Sequence, residues 1–436
     1  MKRPVIISLL ILALGLVCTG ILAVILFTAS NRLSINNPFD KRNISSQVEE
    51  SKTLKVDAEK PVTLKVFSDA GSVSVTGGDV ETVQVRAVKT AYDSSKARAD
   101  AEVKTVKYTI EQTGNTITIK YELAKSMNFS NNVNTVDFII IVPNQATVDV
   151  DNHFGEVTLS NLQGGVLIQN SFGEISLDQI EGAVSVSTNS GGVTASSIDA
   201  GEEDIELKSE FGSITLKNAN GKNVTLDSNS GKIDLNEVNA TGSVTSTTDF
   251  GDSVFENGSA NSLSVVTKSG GVTLTKVNVN QAIKVQNDFG GIELNQSLAA
   301  SYDLHTNSGT ITVDGAKGKL KALTDFGGLK IQNTQAATLD LETKSGSVEF
   351  DGSLGDGPHI VQSDFGNIDL TLPADSKLDV DLSTSFGKIK SDLPITVTVT
   401  ESSEKDGDQI VGTINGGGEQ LTAKTNSGSV NIHASK

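Results

Sequence analysis

Short runs in which every second residue is apolar fill most of the chain, and each run breaks at a glycine before the alternation resumes. Ile283, Val285, Asn287 and Phe289 share one parity, the chain reaches Gly290, and Ile292 and Leu294 share a parity again. The neighbouring run has Leu263, Val265, Thr267 and Ser269 before Gly270 and Val272 and Leu274 after it. Alternation of period two is the signature of strands with one buried face. The pattern therefore predicts two short strands around each glycine, with the glycine at a bend.

The runs recur. NSFGEISL, SEFGSITL, SNSGKIDL, TDFGDSVF, TKSGGVTL, NDFGGIEL, TNSGTITV, TDFGGLKI, TKSGSVEF and SDFGNIDL are anchored on Gly173, Gly212, Gly231, Gly251, Gly270, Gly290, Gly309, Gly327, Gly346 and Gly366, and Gly191 and Gly387 keep the beat. The 232 residues from Gly155 to Gly387 fall into 12 steps, or 19.3 residues each. A unit this small cannot bury a core alone, so self-similarity at this period implies stacked coils. Equivalent residues then lie above one another and pair as parallel strands. The predicted fold class is all-β, a single-stranded parallel β-solenoid of about 19-residue coils.

Three ladders follow from strand parity. The position before the glycine alternates in Phe211, Ser230, Phe250, Ser269, Phe289, Ser308, Phe326, Ser345 and Phe365. Parity puts these side chains inward, where a small residue above and below each ring supplies its volume. On that register Ser269→Phe overpacks the core, at about 1 to 3 kcal/mol. Two positions earlier lie Asn170, Thr188, Ser209, Ser228, Thr248, Thr267, Asn287, Thr306, Thr324, Thr343 and Ser363, expected to be inward and hydrogen-bonded to one another or to the backbone at the bend. Between the two, facing outward, run Asn189, Glu210, Asn229, Asp249, Lys268, Asp288, Asn307, Asp325, Lys344 and Asp364. Interleaving a cation or amide with each carboxylate relieves repulsion between rungs. Such a row could bind cations or basic polymers, but the interposed lysines oppose a cation, so a solvated face is the preferred reading.

Ahead of the repeats, Pro4 to Ala29 is 26 residues without a charge. As a helix it spans roughly 39 Å, more than a hydrocarbon core of about 30 Å. Lys2 and Arg3 precede it, which places the N-terminus in the cytoplasm and the remainder outside. The run exceeds a signal-peptide core and no A-x-A site follows, so an uncleaved anchor is preferred over a cleaved signal. Cys18, the sole cysteine, lies mid-run, and no intramolecular disulfide is available. The expected organisation is a cytoplasmic tip and transmembrane anchor over 1–30, a polar stalk over 31–60, an N-terminal coil and capping region over 61–150, solenoid repeats over 151–390, and C-terminal coils with a cap over 391–436. Within the capping region Tyr92 to Glu102 reads as a short helix and Gly114-Asn115 as a hairpin turn. After ESSEKDGD, two final coils and a closing strand are expected.

Composition agrees. Seven prolines occur in 436 residues, and none lies between Pro143 and Pro358, as uninterrupted ladders require. The formal charge is −18, or −20 once Lys2 and Arg3 are set aside, so nucleic acid and anionic lipid surfaces are repelled. His153, His305, His359 and His433 have no carboxylate or cysteine at ligand spacing and read as surface or turn residues. No nucleophile elbow, phosphate loop or calcium nonapeptide repeat occurs, so no cofactor, metal or catalytic residue is assigned. A polysaccharide-active β-helix enzyme is disfavoured, because coil lengths are too uniform to build a cleft and with no Trp and four Tyr there is little aromatic surface for sugars.

The order of a coil at Gly71, a helix and hairpin, the stretch DFIIIVPNQATVDVDNHFGEVTLSNLQGGVLIQNSFGEISL, glycine-bend coils and the ending VGTINGGGEQLTAKTNSGSVNI resembles the bacterial putative-adhesin family of domains of unknown function. The resemblance spans nearly everything after residue 60 and rests on the order of elements. It implies a β-solenoid exported to or anchored at the bacterial envelope, and supplies no catalytic residues. The expected function is a non-enzymatic, membrane-anchored extracytoplasmic scaffold, held in the membrane through residues 4–29 and binding a cell-surface polymer or envelope protein. The alternative is an accessory or sensing component of an envelope-stress response.

Overall fold

The structure is a computed structural model that describes residues 44–57, 59–123, 133–403 and 407–435. The anchor expected over residues 4–29 lies outside the described residues. Among the described residues no helix is long and apolar enough to cross a membrane. Contacts divide the chain into a small unit, with Thr90–Val106 as its main described segment, and a large one that contains the repeats.

The large unit is a parallel β-solenoid. In the coil around Gly290 a first strand, Ala282–Phe289, meets the bend, and a second strand, Ile292–Asn295, leaves it. The first strand pairs in parallel with Ser262–Ser269 of the coil before and Ser301–Ser308 of the coil after. Ile283, Val285, Ile292 and Leu294 are buried, stacked on Leu263, Val265, Val272 and Leu274. Each such side chain contributes about 1.5 to 3 kcal/mol relative to solvent exposure.

Gly290 shows why the bend needs glycine. Its φ is +144°, and a Cβ there would overlap the carbonyl oxygen of Gly270 in the coil before. Only a residue without a side chain lets successive bends nest at strand spacing.

Most coils have a second bend. Six residues after the glycine the chain turns through a left-handed residue: Asn161, Gln179, Ser197, Asn218, Glu237, Asn257, Lys276, Gln296 and Asn333 have φ between 49° and 56°. The types are mixed, so no sequence signal marks the position. The turn sends the chain into a third short segment in some coils, as where Ser259–Ala260 pairs with Asn278–Val279.

At both ends, stacking order departs from chain order. The coil built from Thr63–Ser68 and Val73–Gly78 lies between one built from Thr116–Tyr121 and Thr135–Pro143 and one built from Thr147–Phe154 and Val157–Leu162. At the other end, Glu419–Ser427 and Val430–Ala434 form a coil inserted between His359–Phe365 with Ile368–Leu372 and Leu378–Phe386 with Ile389–Ser391. Two final coils and a closing strand were expected there. Instead Gly407–Ile414 runs antiparallel to Leu378–Phe386 and to Ile395–Ser403, and a single coil returns into the stack.

Tyr108–Thr113 and Thr116–Tyr121 form the expected antiparallel hairpin. The stalk reading fails over its described part, since Ile44–Lys55 is a strand whose Glu49 and Glu50 pair with Arg86 and Lys89. In the small unit the helix is Lys96–Glu102, capped by Ser95, whose side chain accepts from the Arg98 amide. The residues from Tyr92 to Asp93, expected to be helical, end the strand Thr82–Asp93.

Candidate functional site

The glycine bend is the most regular feature of the surface, and three side chains of each coil meet there. The buried polar ladder bonds to the backbone of the preceding coil. Asn287 Nδ2 donates to the Gly270 carbonyl at 2.8 Å, Thr306 Oγ1 to that of Gly290 at 3.0 Å, and Thr343 Oγ1 to that of Gly327 at 2.8 Å. The inserted C-terminal coil obeys the same rule, with Thr425 donating to Gly366 at 2.9 Å and Thr384 to Gly428 at 2.7 Å. These donors are consumed by structure. Thr188 is buried without such a bond.

The phenylalanines stand elsewhere than parity predicted. Phe211, Phe250, Phe289, Phe326 and Phe365 are 61 to 66% exposed, and Phe386 is 72% exposed. The inward assignment was wrong because parity does not survive the bend. Pairing passes directly from Asn287 to Phe289 and skips Asp288, and both residues 288 and 289 face solvent. The inward place at the corner is already taken by the polar side chain that caps the glycine carbonyl, and the nested glycines leave no room for a ring. Volume alternation is not the explanation either, since Phe154 and Phe172 occupy adjacent rungs, with centroids 5.1 Å apart and planes 3° apart.

Register nevertheless aligns these residues in one column. It runs through Phe154, Phe172, Ser190, Phe211, Ser230, Phe250, Ser269, Phe289, Ser308, Phe326, Ser345, Phe365, Ser427 and Phe386. Immediately beside it runs the charged row. Lys268 pairs with Asp249 at 2.6 Å and Lys344 with Asp325 at 2.7 Å. Asn307 donates to Asp288 at 3.1 Å and Asn426 to Asp364 at 3.0 Å. The hydrogen bond from Lys344 to Asp325 raises the lysine pKa above its ordinary value. Both lysines reach back one rung to a carboxylate, and Asp288 and Asp364 accept instead from the asparagines of the next rung.

The histidines are not all superficial. His153 Nδ1 lies 3.0 Å from Asp69 and His433 Nδ1 3.1 Å from Asp392. His359 is fully buried, in contrast to its expected surface position, and its Nδ1 accepts from the Leu339 amide at 3.3 Å. Burial holds its pKa below the usual value. Away from the glycine bend, a polar hollow of about 410 Å³ lies along the second bends, lined by Asp79, Asn161, Gln179, Glu181 and Asp199 among others. No group of His, Cys, Asp or Glu among the described residues is arranged to hold a metal ion.

The Toastrack DUF4097 family model matches residues 79–315 and 253–433. The chain belongs to that family, a domain of unknown function of the putative-adhesin kind expected from the order of its elements. Among solved structures it is similar to a putative cell adhesion protein from Clostridium sporogenes ATCC 15579, at 8% identity and TM-score 0.23, covering 89% of this chain and 100% of that one. It is also similar to a putative adhesin from Bacteroides fragilis NCTC 9343, at 15% identity and TM-score 0.27, covering 66% of this chain and 97% of that one. No curated protein matches the chain significantly.

Proposed function

We propose that this protein is a non-enzymatic, adhesin-like β-solenoid, anchored in the cell membrane through residues 4–29, that serves outside the cytoplasm as an envelope interaction scaffold. One observation carries the reading: the corner formed by an exposed ring, a carboxylate and a glycine recurs in register along the stack. Enzymes converge unlike groups on one point, whereas here like groups are repeated along a line. That arrangement suits many weak contacts to an extended surface, whose combined strength exceeds that of any one. The charge of −18 disfavours nucleic acid and anionic lipid as that surface.

Co-sedimentation of the full chain, in detergent, with purified cell-wall polymer and with whole envelopes tests the reading. Saturable binding to either is expected; recovery of all the protein in the supernatant with both would overturn it. Reporter fusions at the two termini test the topology, with the C-terminus expected outside.

A further inference from the structure

From Phe211 to Phe365 every second rung of the phenylalanine column carries a ring that stands out into solvent. Five rungs repeat the same dyad, a carboxylate followed by an exposed ring: Glu210-Phe211, Asp249-Phe250, Asp288-Phe289, Asp325-Phe326 and Asp364-Phe365. Because serines occupy the rungs between, the rings stand two strand spacings apart, about 9.6 Å. Rings exposed at 61 to 66% present apolar area that the fold does not bury. A serine occupies the same corner on alternate coils without changing the register.

We propose that this column is a binding edge for a linear polysaccharide bearing amino groups, with sugar faces stacked on the rings and ammonium groups beside the carboxylates. The inference rests on the adhesive reading and names its partner class. Two features select the occupant. Translational repetition matches a polymer with its own repeat. Charge selects among polymers, because the row beside the rings carries five carboxylates against Lys268 and Lys344, and those lysines are engaged by Asp249 and Asp325. The edge therefore repels anionic glycans and attracts cationic ones, and an ammonium near a ring face gains further from the ring quadrupole. The same surplus of negative charge opposes pairing of this edge with a second copy of itself.

The test uses the full chain in detergent and three probes: chito-oligosaccharides with free amines, the same oligosaccharides N-acetylated, and polygalacturonate. Binding should rank free amine above acetylated, with none to polygalacturonate, and should weaken as salt rises. Replacing all five rings by the residue of the alternate rungs (F211S, F250S, F289S, F326S, F365S) should weaken amine-glycan binding by roughly tenfold or more, given the loss of multivalency. The F289S single variant and the charge variant E210Q/D288N/D364N provide graded losses should the fivefold variant not fold. Unchanged binding in these variants overturns the edge even if the wild type still sediments with envelopes, which leaves the adhesive reading standing. No affinity of the wild type for the free-amine probe also overturns it. A ring-dependent dimer in sedimentation velocity would assign the column to a second copy instead.

Discussion

The middle and the ends of the solenoid use the same coil but are joined differently. In the middle, contacting rungs are close in sequence: Thr306 reaches the Gly290 carbonyl across 16 residues and Lys268 reaches Asp249 across 19. At the C-terminal end, Thr425 reaches Gly366 across 59 residues and Asn426 reaches Asp364 across 62. The local rule, a polar side chain on the previous glycine carbonyl, is unchanged. What differs is which coil counts as previous. In a stack joined in chain order the loss of the last coil disturbs only the coil just before it in sequence, since each repeat contacts only its neighbours. Insertion of the last coil beneath an earlier one removes that freedom, and an exposed terminal edge is replaced by a strand held on both sides.

The largest expected effect breaks this difference directly. Truncation after Asn415 removes the inserted coil and leaves Leu378–Phe386 without its parallel neighbour. Hydrogen exchange should then show lost protection over 378–391 and at the edge 359–372, well upstream of the cut. Protection loss confined to the residues next to the cut would contradict the insertion.

Next comes Gly290→Ala in the middle, where the added Cβ would overlap the Gly270 carbonyl oxygen. Destabilisation of about 3 kcal/mol is expected, measured by denaturant unfolding. A loss under about 0.5 kcal/mol would mean the bends do not nest as closely as described.

A titration sharpens the contrast, because His359 belongs to the C-terminal end, paired with Leu421 of the inserted coil. Burial lowers its pKa in the folded state below 6.5, so the unfolded chain binds the proton more readily. Its stabilising contribution is complete above pH 6.5 and is lost as pH falls through the lowered folded value. Thermal melts between pH 7 and 5 should show this decline, and His359→Gln should flatten it; identical slopes for the two proteins would refute the assignment.

Relief of backbone strain is smaller and of opposite sign. Glu237 has φ of 56° at the second bend, where a residue with a Cβ is disfavoured. Glu237→Gly should raise stability by up to about 1 kcal/mol. Smallest of all is Ser269→Phe, which adds a ring to a solvent-facing column and should shift stability by no more than about 0.5 kcal/mol. A penalty of about 1 to 3 kcal/mol would return the column to the core.

Much of the coil was legible in the sequence. The glycine beat gave the repeat length, alternation within Ile283–Val285 and Ile292–Leu294 gave the buried face, and Thr306 and its equivalents stood out as a buried polar ladder. The bend at Gly290 was legible because close backbone approach demands one residue type. Three things were not. The second bend at Gln296 and its equivalents accepts Asn, Gln, Ser, Glu and Lys, so composition carries no mark of it. The exposure of Phe289 was hidden because parity counts residues, whereas the corner turns Asp288 and Phe289 out together. The burial of His359 depends on coils packed above and below it.

The chain alone determined that its coils are parallel, about 19 residues long and glycine-cornered, because those properties follow from spacing and from steric exclusion between neighbours of one kind. Only the tertiary structure decided which coil lies on which, and which side of the corner the rings occupy. Coils with the same inward pattern fit above one another equally well by local rules, so stacking order is settled by how the connecting segments close. The direction of a ring at a bend is settled by the space that the nested backbone leaves it.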